Sequence, residues 1–296
     1  MKPAAFAYHR PATVAEAIEL LSRLDNAKLL AGGQSLVPVM NFRLAAPDHL
    51  IDINGIAELA GIHVSPASVR IGAMTRQREA ELSAQLHGAA PVIREALEHV
   101  GHLATRNRGT VGGSLCHLDM AAELPVVMLA LEAVVEAASP RGLRGIPMRE
   151  FARHMFTTAL APDEIATAVS FSPWKPGHGY AFCEAARRHG DFAMVSVCAL
   201  LETDPKGRIG RAALVLGGMG AVAQRCTAGE ALLVNETATA DLYAAAAAEA
   251  EKLDAVTDLH VEAWYRRRLA RVLTRRALAA AGARCAGALE TGRAAR

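Results

Sequence analysis

Two glycine turns dominate this sequence. "LLAGGQSLVPVM" (29–40) places Gly32 and Gly33 directly after an apolar run and follows them with Gln34 and Ser35. "GTVGGSLCHLDMAAELP" (109–125) repeats the arrangement, with Gly112, Gly113 and Ser114, about eighty residues later. Glycine pairs admit positive φ angles and leave backbone N–H groups unshielded, so a diphosphate can approach the main chain and accept several hydrogen bonds at once. Ser35, Thr110 and Ser114 add hydroxyl donors. Either pair alone also reads as an ordinary tight turn; the two together raise the question of one ligand held between them.

With 296 residues, 52% of them hydrophobic, the chain can bury a substantial core, and its length suggests two domains or one domain with an appendage. The 32 Lys and Arg against 30 Asp and Glu leave a net charge of +2, too small to argue for a nucleic-acid or anionic-membrane partner. The opening "MKPAAFAYHRP" has no long apolar core of the signal-peptide kind, and no apolar run approaches the roughly 20 residues of a membrane span, so a cytoplasmic protein is expected. Cys116, Cys183, Cys198, Cys226 and Cys285 stand far apart without a C-x-x-C pair. That spacing speaks against a zinc ribbon or a cysteine-ligated iron–sulfur cluster within this chain.

"TVAEAIELLSRL" opens with Thr13 and Glu16 at capping-box spacing and carries Val14, Ala17, Ile18, Leu21 and Leu24 on one helical stripe. "AKLLA", "HLIDI" and "SVRIGAM" read as strands, and "PVIREALEHVG" as a helix started by Pro and stopped by Gly. "LPVVMLALEAVVEAAS" is a helix followed by a strand, and "SPRGLRG" a turn-rich break. The stretch "SFSPWKPGHGYAF" (170–182), with two Pro and two Gly, divides the chain into domains 1–175 and 176–296. Beyond it, "AMVSVCALLE" and "RAALVLGGM" are strand-like, and "DLYAAAAAEAEKL" and "AWYRRRLARVLTRRALAAA" are helical. The expected fold class is α+β, with the smaller C-terminal domain built of strands first and helices last.

Taken with their flanks, "AGGQSL" and "RNRGTVGGSLCHLDMAAELP" resemble the two flavin-diphosphate loops of the medium, FAD-binding subunits of molybdenum hydroxylases, the group that contains carbon monoxide dehydrogenase and xanthine dehydrogenase. The resemblance continues through "FCEAARRHGDFAMVSVCAL", "LGGMGAVAQR" and "HVEAWYRRRLARVLTRRAL", and so covers nearly the whole chain. It implies a PCMH-type FAD-binding domain of two α/β subdomains, followed by a domain with an antiparallel sheet and helices. It further implies that Leu29, Leu30, Ala31, Gly32, Gly33, Gln34, Ser35 and Leu36, together with Thr110, Val111, Gly112, Gly113 and Ser114, wrap the FAD diphosphate. Glu123 stands where relatives usually have an aspartate near the ribityl or diphosphate region, Ile165 at a position lining the flavin, and Glu184 or Cys183 where many relatives place a lysine. Molybdopterin and a [2Fe–2S] cluster are implied on a large and a small partner subunit, in a dimer of heterotrimers. The electron acceptor would be NAD, a quinone or oxygen, and no residue of this chain need be catalytic.

Several features keep second readings. Glu123 also suits the start of a helix, where the macrodipole favours a carboxylate. Cys116, His117 and Asp119 lie close together, but a C-H-x-D string has no recognised ligand geometry, and no metal site is assigned. Gly218, Gly220 and Ala223 have the formal shape of a Rossmann turn after "AALVL", the basis of a rival reading as an NAD(P)-dependent reductase, although "QRCTAGEALLVN" breaks instead of running into a long helix. A subunit that only organises a complex is a third possibility. The arginines at 266, 267, 268, 271, 275 and 276, over an apolar stripe of Leu269, Val272, Leu273 and Ala277, suit a solvated or subunit-facing helix better than RNA binding, since no aromatic platform accompanies them.

Overall fold

In the computed structural model, which describes the backbone of residues 1–294 and the side chains of 1–285, three larger sheets follow one another along the chain, beside a two-stranded sheet of Ala152–His154 and Thr157–Thr158. The first is small and parallel: strand His49–Asp52 lies between Ala7–His9 and Ala27–Leu30. Helix Val14–Arg23 crosses between its outer strands. Thr13 Oγ1 accepts from Glu16 N at 3.2 Å, while the Glu16 carboxylate accepts from Ala12 N, one residue earlier than a strict capping box requires. The apolar stripe of that helix meets Ile51, Ile53, Ile56 and Met74 in a local core.

The second sheet has five antiparallel strands in the order Ile62–Val64, Val69–Gly72, Ile165–Phe171, Val134–Ser139, Gly142–Pro147. Segment 139–145, expected to be a break, is the turn and outer strand of a hairpin in which Val134 faces Pro147. Pro is tolerated there because the strand lies at the sheet edge. Between strands Val69–Gly72 and Val134–Ser139 run the helices that carry the second glycine turn. Helix Glu123–Ala130, apolar on all sides apart from Glu123, is almost wholly buried, as an all-round apolar helix must be.

The third sheet, Gly179–Ala185, Val195–Thr203, Ile209–Gly217 and Gln224–Arg225, is an antiparallel meander. Its two faces alternate with period two. Phe182, Cys198, Leu200, Ala213 and Val215 join one core with Leu124, Val126 and Met128 of the buried helix. Ala181, Val197, Ala199, Leu214 and Leu216 join a second core with Ala270, Leu273, Ala277 and Ala281 of the long helix Ala263–Ala294. The C-terminal sheet is therefore sandwiched, and its first core is shared with the N-terminal part of the chain.

One rival reading is removed and one expectation corrected here. Gly218 to Ala223 joins two antiparallel strands, with Gly218 at φ +73°, so "GGMGAVA" is a hairpin connection and no helix follows it in the Rossmann manner. Arg266 is not part of the solvated arginine face; it is 2% exposed and donates to the carbonyls of Met194, Gly218 and Val256 and to the Asp258 carboxylate.

Candidate functional site

The first glycine turn follows strand Ala27–Leu30 and leads into helix Leu36–Asn41. Gly33 sits at φ +73°, the left-handed region that glycine reaches without a steric cost. The N–H groups of Gly32, Gly33, Gln34 and Ser35 make no hydrogen bond among the described residues, and the Ser35 hydroxyl caps nothing. The turn borders an open cavity of about 400 Å³, lined by Leu30, Ala31, Gly32, Gly33 and Gln34, with Ser35 next along the chain, by Asp52 and Asn54 from the end of the central strand, and by Arg108.

The second turn is built differently. Thr110 caps helix Val111–His117 by accepting from Gly113 N at 3.0 Å, Val111 N donates to Thr75 O at 3.0 Å, and Gly112 N donates to Ala73 O at 2.8 Å. Its N–H groups are thus committed to the scaffold. Glycine is needed at 112 because a Cβ there would lie 2.5 Å from the Ala73 Cβ, and at 32 because a Cβ would lie 2.3 Å from Arg108 O. A Cβ on Gly113 would likewise lie 2.6 Å from Thr110 Oγ1, so three of the four glycines serve close approach within the protein, and the open cradle belongs to the first turn.

A polar bracket holds the turns together. Asn54 Nδ2 donates to Ala31 O at 2.8 Å; its Oδ1 accepts from Arg76 Nη2 at 2.7 Å; Arg76 Nη1 donates to Arg108 O at 2.6 Å, one residue before Gly109. Asp52 accepts from Asn54 N at 2.9 Å and from the Tyr8 hydroxyl, and although burial opposes its charge, these bonds hold its carboxyl below the usual carboxylate range. Asp52, Asn54, Arg76 and Arg108 had no glycine-like signal in the sequence; the placing of "HLIDI" directly after the first turn was the only pointer. Free main-chain donors, a hydroxyl and a guanidinium around one cavity fit the diphosphate of a dinucleotide.

Residues 4–174 match the FAD binding domain in molybdopterin dehydrogenase, and residues 180–281 match the CO dehydrogenase flavoprotein C-terminal domain. The chain belongs to the FAD-binding medium subunits of the carbon monoxide dehydrogenase and xanthine dehydrogenase family. It is 41% identical over 283 residues to the 6-hydroxypseudooxynicotine dehydrogenase complex subunit alpha of Paenarthrobacter nicotinovorans, covering 95% of this chain and 96% of that one. It is 38% identical to the nicotine 6-hydroxylase medium subunit of the same organism, over 96% of this chain and all of the relative. In the solved carbon monoxide dehydrogenase from Hydrogenophaga pseudoflava, a chain 35% identical superposes with a TM-score of 0.94, over 96% of this chain and 100% of that one.

The other expected site residues of this medium subunit lie in different settings. Ile165 is 1% exposed in the core beside Met74, Ile51 and Leu59, and Leu29 packs against the same core, so neither borders the cavity. Leu36 begins the helix after the first turn. Glu123 begins the buried helix Glu123–Ala130, and Glu184 lies on strand Gly179–Ala185, directly opposite Ser196, itself opposite Gly217. Opposed residues of an antiparallel sheet share a face, and here that face meets the buried helix: a Cβ on Gly217 would lie 2.5 Å from Val126 Cγ2 and 2.6 Å from Ser196 Oγ. Glu184 Oε2 and Ser196 Oγ are buried without a hydrogen-bond partner among the described residues. Burial, reinforced by the charge of Asp119, pushes the Glu123 carboxyl up to about 7, and burial followed by the charge of Glu123 pushes Glu184 up to about 8. The nearest cationic candidate, His99 Nδ1, stands 3.8 Å from Glu184 Oε1, and its own burial favours the neutral ring. At neutral pH Glu184 is thus mostly protonated and can donate, while Glu123 is divided between its protonated and ionised forms. Among the described residues no group of His, Cys, Asp and Glu is arranged to hold a metal; Cys116 is half-buried, desolvation pushing its thiol up to about 12, and His117 packs against Phe156.

Proposed function

We propose that this chain holds FAD between a partner [2Fe–2S] subunit and an external electron acceptor, within a complex whose substrate is oxidised on a large molybdopterin subunit. The observation that carries this reading is the first glycine turn, whose N–H groups have no partner among the described residues, opening on a cavity that Asp52, Asn54 and Arg108 complete. When bound, the flavin supplies the chemistry that couples one-electron donors to one- or two-electron acceptors. The protein's work is to bind and to orient. The N–H groups of 32–35 and the Ser35 hydroxyl would hold the diphosphate; Thr110 and Ser114 would support it from the second turn; Glu184 as a neutral donor, and Glu123 in its protonated form, would meet hydroxyl or carbonyl acceptors further along the cofactor.

The test is to purify the full chain with its co-purifying subunits and release the flavin. A yellow protein with FAD at close to one per chain, bleached on addition of the complex's substrate, supports the reading. A colourless chain that binds NADPH would replace it with the reductase reading. Substrate screening starts from nicotine-like pyridines, because two of the relatives are named for such compounds, and extends to purines, aldehydes and CO. A dimer of heterotrimers in the cytoplasm is the expected assembly. No helix among the described residues is long and apolar enough to cross a membrane.

A further inference from the structure

The cavity beside the first glycine turn contains one feature that the two-loop arrangement does not require. Arg108 ends helix Leu103–Arg108, lines the cavity, and has an exposed side chain whose guanidinium makes no hydrogen bond or ion pair among the described residues. Its backbone carbonyl is the acceptor for Arg76. The two guanidinium groups lie near enough that, after burial, the charge of Arg108 is the largest influence opposing protonation of Arg76. Two like charges are therefore held side by side at the mouth of a cavity. Arg76 is engaged by Asn54 and by the Arg108 carbonyl; the Arg108 head group is the one left over. The carboxylate in the same cavity, Asp52, is already taken by Tyr8 and Asn54.

We propose that Arg108 neutralises the diphosphate of the bound cofactor and makes the site selective for the dinucleotide FAD over riboflavin. This rests on the FAD reading above. A diphosphate brings two negative charges against neutral main-chain donors and against the Asp52 carboxylate. Such an anion needs a cation, and among the described residues Arg108 is the only basic one that lines the cavity. A guanidinium presents paired donors that match phosphate oxygens, whereas a lysine supplies only a point charge. The uncharged isoalloxazine and ribityl parts gain nothing from this contact, so it separates FAD from riboflavin.

The experiment titrates the flavin-stripped full chain with FAD and with riboflavin by quenching of flavin fluorescence, for the wild type, Arg108→Gln and Arg108→Lys, at two salt concentrations. Arg108→Gln is expected to weaken FAD about tenfold or more, to leave riboflavin within about twofold, and to flatten the salt dependence of FAD binding; Arg108→Lys is expected to recover part of the loss. Pyrophosphate should compete with FAD in the wild type and much less in Arg108→Gln. Because the side chain is exposed, melting temperatures should agree among the three proteins. Unchanged FAD affinity in Arg108→Gln overturns the proposal and leaves the FAD reading standing. Equal losses for FAD and riboflavin also overturn it, by showing a merely structural role. A wild-type chain that binds neither flavin overturns the FAD reading itself.

Discussion

Gly33 and Gly112 look equivalent as letters and differ in what surrounds them. Gly33 has a left-handed backbone, and a Cβ there would meet only side-chain methyls at 3.2 Å, whereas a Cβ at Gly112 would enter Ala73 at 2.5 Å. Gly33→Val should therefore cost about 1 to 3 kcal/mol of local strain and abolish FAD retention while the fold survives. Gly112→Val should fail to accumulate as folded protein. Comparing circular dichroism with released FAD separates the two outcomes, and a folded, flavin-loaded Gly112→Val would contradict this account. Glu184 gives a second test at this scale. Its folded carboxyl titrates at about 8 against an ordinary 4.5, and Glu123 at about 7. Between pH 4.5 and these values the folded chain holds protons that the unfolded chain has released, so stability falls as pH rises through the window and levels off above it. Glu184→Gln copies the neutral carboxyl and removes its share of the fall. It should match the wild type near pH 4.5 and exceed it at pH 9, by an amount on the order of a few kcal/mol. Urea midpoints at the two pH values check this, and a difference independent of pH would refute it. For the same reason Glu123→Gln should disturb FAD binding little near pH 6, contrary to the like-charge repulsion expected of an ionised carboxylate beside a diphosphate.

At the scale of elements, the bracket running from the end of strand His49–Asp52 through Asn54 and Arg76 to Arg108 sets how the first turn faces the second. Asn54→Ala leaves the Ala31 carbonyl and the Arg76 guanidinium without their partner, a loss of about 1 to 3 kcal/mol, part of it expressed as weaker FAD binding. Isothermal titration with FAD, read beside the apo melting temperature, shows the division; full FAD affinity in Asn54→Ala would mean that the turns hold their relation without the bracket. The long C-terminal helix has its own buried tie in Arg266, which fastens it to the Gly218 turn and to Met194. Arg266→Met should destabilise the fold by about 3 kcal/mol or more, because several buried carbonyls and Asp258 lose their donor, whereas exposed Arg268→Met should change stability by less than about 0.5 kcal/mol. Thermal denaturation of both variants decides it. From the letters the six arginines formed one class; only the packing of Ala270, Leu273 and Ala277 against the third sheet turned Arg266 inward.

For the whole molecule, the shared core between the third sheet and helix Glu123–Ala130 makes the C-terminal half a wall of the flavin-binding half and not an independent appendage. The exposed arginines 267, 268, 275 and 276 leave a basic face for contacts within the complex. Replacing these four by glutamate should loosen co-purification of partner subunits without changing FAD affinity, and the isolated wild-type chain should show no tight, steeply salt-dependent binding of generic RNA. What the sequence determined by itself was local and periodic: the amphipathic helices, the alternating strands, the order of strands before helices in the C-terminal half, and the two glycine turns, because each is written in residues close together along the chain. Tertiary structure alone decided which turn offers free N–H groups, since that depends on whether Ala73 and Thr75, far from either glycine pair in sequence, take up those donors. It alone placed Ile165 in the core, gathered Asp52, Asn54 and Arg108 into one cavity, and tied Arg76 to Asn54 and to the Arg108 carbonyl. Long-range polar contacts of this kind leave no period and no spacing to read, because the partners belong to separate elements that meet only when the sheets pack.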